Sequence, residues 1–153
     1  MAKTEQDNHE PIESLIKLLR TGDMIERTSA AVCLGQVGPR AALAVDALAA
    51  TLCDPDNPAT AQEAARSLGE IGPDARRAIP VLIQAMQQFP NEGRAWFAAE
   101  TLGRISDPSD ARVRAALSAA THGNRSLCSF AEYGLKELDS PNNRSTTEPT
   151  LQF

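Results

Sequence analysis

The chain has 153 residues, 42% of them hydrophobic but only 4% aromatic, so alanine and leucine must carry the packing of a single domain. A net charge of −5 and a pI near 5.0 exclude a general phosphate-binding surface, which needs clustered Lys and Arg. No uninterrupted apolar run approaches the ~20 residues of a membrane span, and Cys33, Cys53 and Cys128 form no C-x-x-C pair.

The chain opens on MAKTEQDNHE, which lacks the apolar core of a secretory signal and reads as a flexible segment, residues 1–10. With an odd number of cysteines, reduced thiols in a cytoplasmic protein are expected rather than a disulfide framework. A first amphipathic helix follows over Pro11–Arg20 and ends at the turn TGD.

At residues 30–39 the chain writes AAVCLGQVGP, at 64–73 AARSLGEIGP, and from 98 AAETLGRISDP. Leu34, Leu68, Leu102 and Leu135 recur at spacings of 34, 34 and 33, and Ala30, Ala64, Ala98 and Ala131 keep the same step. A second ladder lies between them: Ile12, Val45, Ile79 and Val113, with Leu15, Leu48, Leu82 and Ala116. A fixed period of this size is the mark of a solenoid.

Each repeat reads as two helices. Helix A carries small and apolar residues at 27, 30, 31, 34 and 37 and stops at Gly38, Gly72 or Ser106-Asp107, each followed by proline. Helix B follows, over Ala41–Leu52 and Ala75–Gln88 in the first two units. The turns CDPDNP, FPNEG and HGN close the units, and Asn57 before Pro58 reads as an N-cap. A closing helix A is expected over Arg125–Leu138, giving about eight helices in a domain over residues 11–139. In that last helix Glu132 and Lys136 replace an alanine and a glycine, as a terminal cap requires. Residues 140–153, SPNNRSTTEPTLQF, read as a flexible polar tail.

At DMIERTSAAVCLGQVGP the chain resembles the HEAT-repeat superfamily, in its short alanine-rich variety of the phycobilin-lyase type. The resemblance covers Pro11 to Asp139. It implies an all-α fold, a right-handed α-α superhelix with B helices on the concave side and A helices on the convex side. It also implies a non-enzymatic scaffold or adaptor that holds a protein partner; a subunit of a phycobilin-lyase-like, chromophore-handling enzyme is the alternative.

Chemistry has little to stand on. Iron-binding relatives such as the deoxyhypusine hydroxylases repeat His-Glu on several helices, whereas here His9-Glu10 is a single pair and His122 precedes Gly123. Cys33 and Cys128 have no histidine at a spacing that marks a base; Cys33 shares a repeat position with Ser67 and Thr101. No catalytic residue, cofactor or metal is expected, nor binding to nucleic acid or membrane.

Two surfaces are candidates for the protein partner. One is the helix-B face, with Glu13, Lys17, Asp46, Gln84, Arg114 and Ser118. The other is aromatic: Trp96-Phe97 occupies the slots of Thr28-Ser29 and Gln62-Glu63, Phe130 follows in the next repeat, and Tyr133 takes the slot of Glu100. Polar slots turning aromatic predict an apolar stripe, covered by a partner, by the tail or by the curvature of the solenoid. Gln36, Glu70, Arg104 and Glu137 share another slot, which would set Arg104 between two carboxylates.

Overall fold

The structure, a computed structural model, describes residues 9–144, and the expectations for residues 1–8 and 145–153 lie outside that range. Among the described residues there is no strand. The order is α1 (His9–Thr21), α2 (Met24–Val37), α3 (Val45–Thr51), α4 (Pro58–Ile71), α5 (Ile79–Gln88), α6 (Gly93–Ile105), α7 (Ala111–Ala120), α8 (Arg125–Leu138) and a single turn, α9 (Pro141–Arg144). Helices α2, α4, α6 and α8 are the A helices and form one layer; α1, α3, α5 and α7 are the B helices and form the other. The α1 helix begins at His9, inside the stretch read as flexible, and α9 lies inside the tail.

Both ladders face the core, with Leu15, Ala116 and Leu135 near the ends only partly buried. Ala64, Ala98, Ala131, Leu34, Leu68 and Leu102 are fully enclosed between the layers, as are Val45, Leu48, Leu82 and Val113 from the B helices. The alanines let the A helices approach closely, and the leucines fill the space between A and B. This is an all-α HEAT-like solenoid.

The turns between A and B differ from the expected continuous B helices. Gly38 and Gly72 sit at φ +69° and +84°, a region open to glycine, and the chain then runs through 3-10 segments, Gly38–Ala44 and Pro73–Ala78, before α3 and α5 begin. Pro39 and Pro73 fix the first residue of each tight turn and supply no N–H to an α-helical start. In the third unit Ser106 is extended and no 3-10 segment forms; Asp110 caps α7 instead, accepting from the amides of Arg112 and Val113. Asn57 occupies the N-cap position of α4, but its amide turns away and donates to Asp54.

Met24–Thr51 is long and apolar enough to cross a membrane by length and mean composition, with a mean hydropathy of 1.2 in its most apolar window, although Glu26, Arg27, Arg40 and Asp46 interrupt it. Here it bends at Gly38 and Pro39 into α2 and α3, and Ala30, Ala31, Leu34, Val45 and Leu48 enter the core.

Candidate protein-binding surfaces

The A helices meet through a recurring contact. Ser67 donates to the carbonyl of Ala31 at 2.7 Å, and one layer on Thr101 donates to that of Ala65 at 2.8 Å. Each hydroxyl sits over a glycine of the preceding helix, Gly35 or Gly69, where any Cβ would collide with it. Cys33 holds the same slot in α2 but is exposed, because no described helix precedes it in the A layer.

Between α6 and α8 the contact changes. Gly134 replaces the hydroxyl residue, and Gly103 and Gly134 bring the two backbones together, with Gly134 also against the Ala99 carbonyl. Beside them Phe130 stacks on Trp96, centroids 6.3 Å apart, and meets Phe97 edge-on at 5.6 Å. Trp96 Nε1 donates to the Pro90 carbonyl at 3.3 Å. Trp96, Phe97 and Phe130 are therefore half-buried packing residues that pin α8 to α6. The sequence left open whether this stripe is buried or binds a partner; the structure packs the three rings against one another. Tyr133 alone stays open, at 46% exposure, over a shallow groove of about 300 Å³ formed with Glu100, Ser129 and Phe130. Glu137 beside the Tyr133 phenol holds its pKa above the usual value, with burial and Glu100 adding to the effect. Arg104 pairs with Glu70 at 3.6 Å, so the expected bridge between two carboxylates has formed on one side.

The helix-B candidates divide into bound and free groups. Asp46 is held by Arg77 Nε at 2.8 Å, and Arg77 also donates to the Ala42 carbonyl. Arg114 is held by Asp139 at 2.7 Å and donates to the Pro108 carbonyl. Glu13 and Lys17 are exposed on α1, on the far side of the Asp46–Arg77 pair from α5. Gln84 and Ser118 are exposed on α5 and α7. Between those two helices runs a groove of about 480 Å³ lined by Pro80, Ile83, Gln87, Arg112, Ala115, Ala116 and Ala119. Helix α5, IPVLIQAMQQ, has no charged residue at all. Arg112, the charged member of the lining, is paired with Asp110 at 3.0 Å.

A feature missed in the sequence lies behind the A layer. Arg94 is fully buried at the start of α6, its Nη1 donating to the carbonyls of Leu52 and Asp54 at 3.0 and 2.7 Å. Its Nη2 lies 2.8 Å from Glu92, and its guanidinium sits 4.0 Å from the Phe89 ring centroid. Arg27 grips the same loop from α2, donating to Leu19 O at 3.1 Å and to Asp54 at 3.1 Å. Asn57, the Asp56 amide and Arg27 hold the Asp54 carboxyl below the usual range. Both arginines satisfy carbonyls at the C-terminal end of a B helix, where the helix dipole favours a cation. Arg94 shares its slot with Thr60 and Leu127, both buried, and that register was the available signal.

Among the described residues no group of three or more His, Cys, Asp or Glu side chains converges. His122 is exposed, its Nδ1 3.1 Å from the Ser118 carbonyl. Burial raises the Cys53 thiol pKa, with Arg94 acting against it, and burial and Glu132 raise that of Cys128; neither is an activated thiolate.

Against known proteins, a model of HEAT repeats matches residues 12–100 and again residues 45–136. No curated protein matches the chain. The two overlapping matches span both ladders, six of the helices α1 to α8 in full and most of the other two, so the chain belongs to the HEAT-repeat family.

Proposed function

We propose that the protein is a non-enzymatic, cytoplasmic scaffold that holds a protein partner in the groove between α5 and α7. The observation that carries this reading is the groove's surface. Pro80, Gln84, Gln87, Ala115, Ser118 and Ala119 are exposed and uncharged on neighbouring helices, Arg112 in the lining is paired with Asp110, and Asp46 and Arg114 beside the groove are held in ion pairs. An apolar, concave strip flanked by charge suits a helix or extended segment with an apolar face, whose burial is the driving term. The short side chains of Ala115 and Ala119 admit a partner backbone and lose little entropy on contact. Asp46 and Arg114, bound within the protein, position the groove rather than read a partner. Glu13 and Lys17 lie beyond it, and Tyr133 offers a smaller second contact on the A face.

A photo-crosslinking amino acid at Ala119 tests this in native extract, with Arg66 on the opposite face as the control position. The reading expects a discrete protein adduct from position 119 that Ala115→Arg abolishes without lowering the melting temperature. Equal labelling from both positions would contradict it. So would a shifted visible spectrum on mixing with bilin, which would favour a chromophore-handling enzyme subunit.

A further inference from the structure

The chain leaves its last layer at the mouth of the α5–α7 groove. Asp139, directly after α8, pairs with Arg114 at 2.7 Å near the start of α7, and the single turn α9 begins two residues on. Arg114 holds in α7 the slot that Pro80, a lining residue of the groove, holds in α5. Residues 145–153 follow. Extended, a segment of that length reaches roughly 30 Å, whereas α7 is about 10 Å across and about 15 Å long. It is long enough to cross α7 and run along the groove.

Its composition suits that surface. Residues 145–148, STTE, are polar, and residues 149–153, PTLQF, carry no charged side chain. In an extended chain Pro149, Leu151 and Phe153 fall on one side, with Thr150 and Gln152 on the other. Leu151 and Phe153 then stand about 7 Å apart, close to the rise of about 6 Å between Ala115 and Ala119 along α7. Across the groove α5 carries no charge, and the exposed Gln84 and Gln87 offer amides to an extended backbone. Arg112, whose side chain is 71% exposed beside Asp110, leaves room for the Glu148 carboxylate. The groove under Tyr133 is a poorer match, because Glu100 lines it and Glu137 acts on the phenol, and both repel Glu148.

We infer that residues 149–153 of this chain dock along the α5–α7 groove, with Glu148 meeting Arg112, and that the protein thereby covers its own partner site. The inference rests on the groove being the binding surface. Burial of Leu151 and Phe153 against Ile83, Ala115, Ala116 and Ala119 supplies the driving force. A tethered segment acts at a high effective concentration, so even weak contacts keep a free partner out until it displaces the tail.

The test uses the purified full chain in dilute solution, with a photo-crosslinking amino acid at Ala119. Peptide mapping should find an adduct to residues 149–153 within one molecule, lost when Leu151→Asp and Phe153→Asp are combined. A labelled peptide of residues 145–153, capped at both ends, should bind that double variant saturably in fluorescence anisotropy. The chain with its own tail intact should bind the peptide about tenfold or more weakly, because its groove is filled. Equal peptide binding by the two chains, or none by either, overturns the inference. So does an adduct joining two molecules, or one to residues 149–153 that forms from Ser129 beside Tyr133 and not from position 119. In native extract, a partner adduct at position 119 should increase in the double variant. An intramolecular adduct with no partner adduct in either chain supports the docked tail and counts against the partner reading alone.

Discussion

Between α2 and α4, and again between α4 and α6, a side-chain hydroxyl crosses to a helical carbonyl above a glycine. Between α6 and α8 that position is Gly134, the backbones touch, and three aromatic rings pack alongside. The inner contacts are directional: Ser67 and Thr101 each satisfy an already bonded carbonyl's second lone pair, which fixes register for a net stabilisation of about 1 kcal/mol. The terminal contact relies on burial and ring geometry. A last layer has one neighbour instead of two, and the extra aromatic area of Trp96, Phe97 and Phe130 offsets that loss. The repeat is thus conserved in shape along the chain while the chemistry at its seams changes.

Four experiments sharpen this comparison. Leu68→Ala removes what both kinds of seam share, the leucine between A and B, and should cost about 2–5 kcal/mol in denaturant melts through lost burial and a cavity. Arg66→Ala, exposed on the same helix, should stay within about 0.5 kcal/mol. Gly134→Ser restores the inner residue type at the terminal seam. Its Cβ meets the Ala99 carbonyl, so it should destabilise by about 1–3 kcal/mol rather than add a hydrogen bond. Thr101→Ala deletes one inner hydrogen bond and should cost about 1 kcal/mol.

The smallest effect is a titration. Glu137 and Glu100 disfavour the phenolate of Tyr133, so the phenol stays protonated above its ordinary range. Glu137→Gln should move the single tyrosine's absorbance titration to lower pH with little change in stability. An unchanged titration would place Tyr133 away from Glu137.

Periodicity alone carried most of the fold. The two ladders, the glycine stops and the eight helices were legible because each rests on residues repeated at a fixed step, where burial leaves little choice. The 3-10 segments after Gly38 and Gly72 were not, since an alanine-rich stretch reads as α-helix until the proline's missing N–H is counted into the turn. Arg94 was hidden for a related reason. A charge at a helix start looks solvated, and only the carbonyls of Leu52 and Asp54, some 40 residues earlier, explain its burial. Gln62, one of the polar slots that Trp96-Phe97 replaces, is half-buried and lies against Gly93.

The candidate sites were less legible. Slot comparison found the aromatic cluster, but not that its rings face each other across the α6–α8 seam. It also chose Asp46 and Arg114 by their position on helix B, whereas Arg77 and Asp139 engage them. What distinguishes the α5–α7 groove is an uncharged α5 beside an α7 whose two arginines are held by Asp110 and Asp139, a property of the pair that no single position displays.

The most direct test of the account is the denaturant unfolding of Phe130→Ala followed by Trp96 emission, since Trp96 is the only tryptophan. If the rings pin the last layer, the variant loses about 2 kcal/mol or more and the native-state emission shifts to the red as Trp96 loses its stacking partner. A loss within about 0.5 kcal/mol with unchanged emission would contradict the account and return the aromatic cluster to the role of a binding surface.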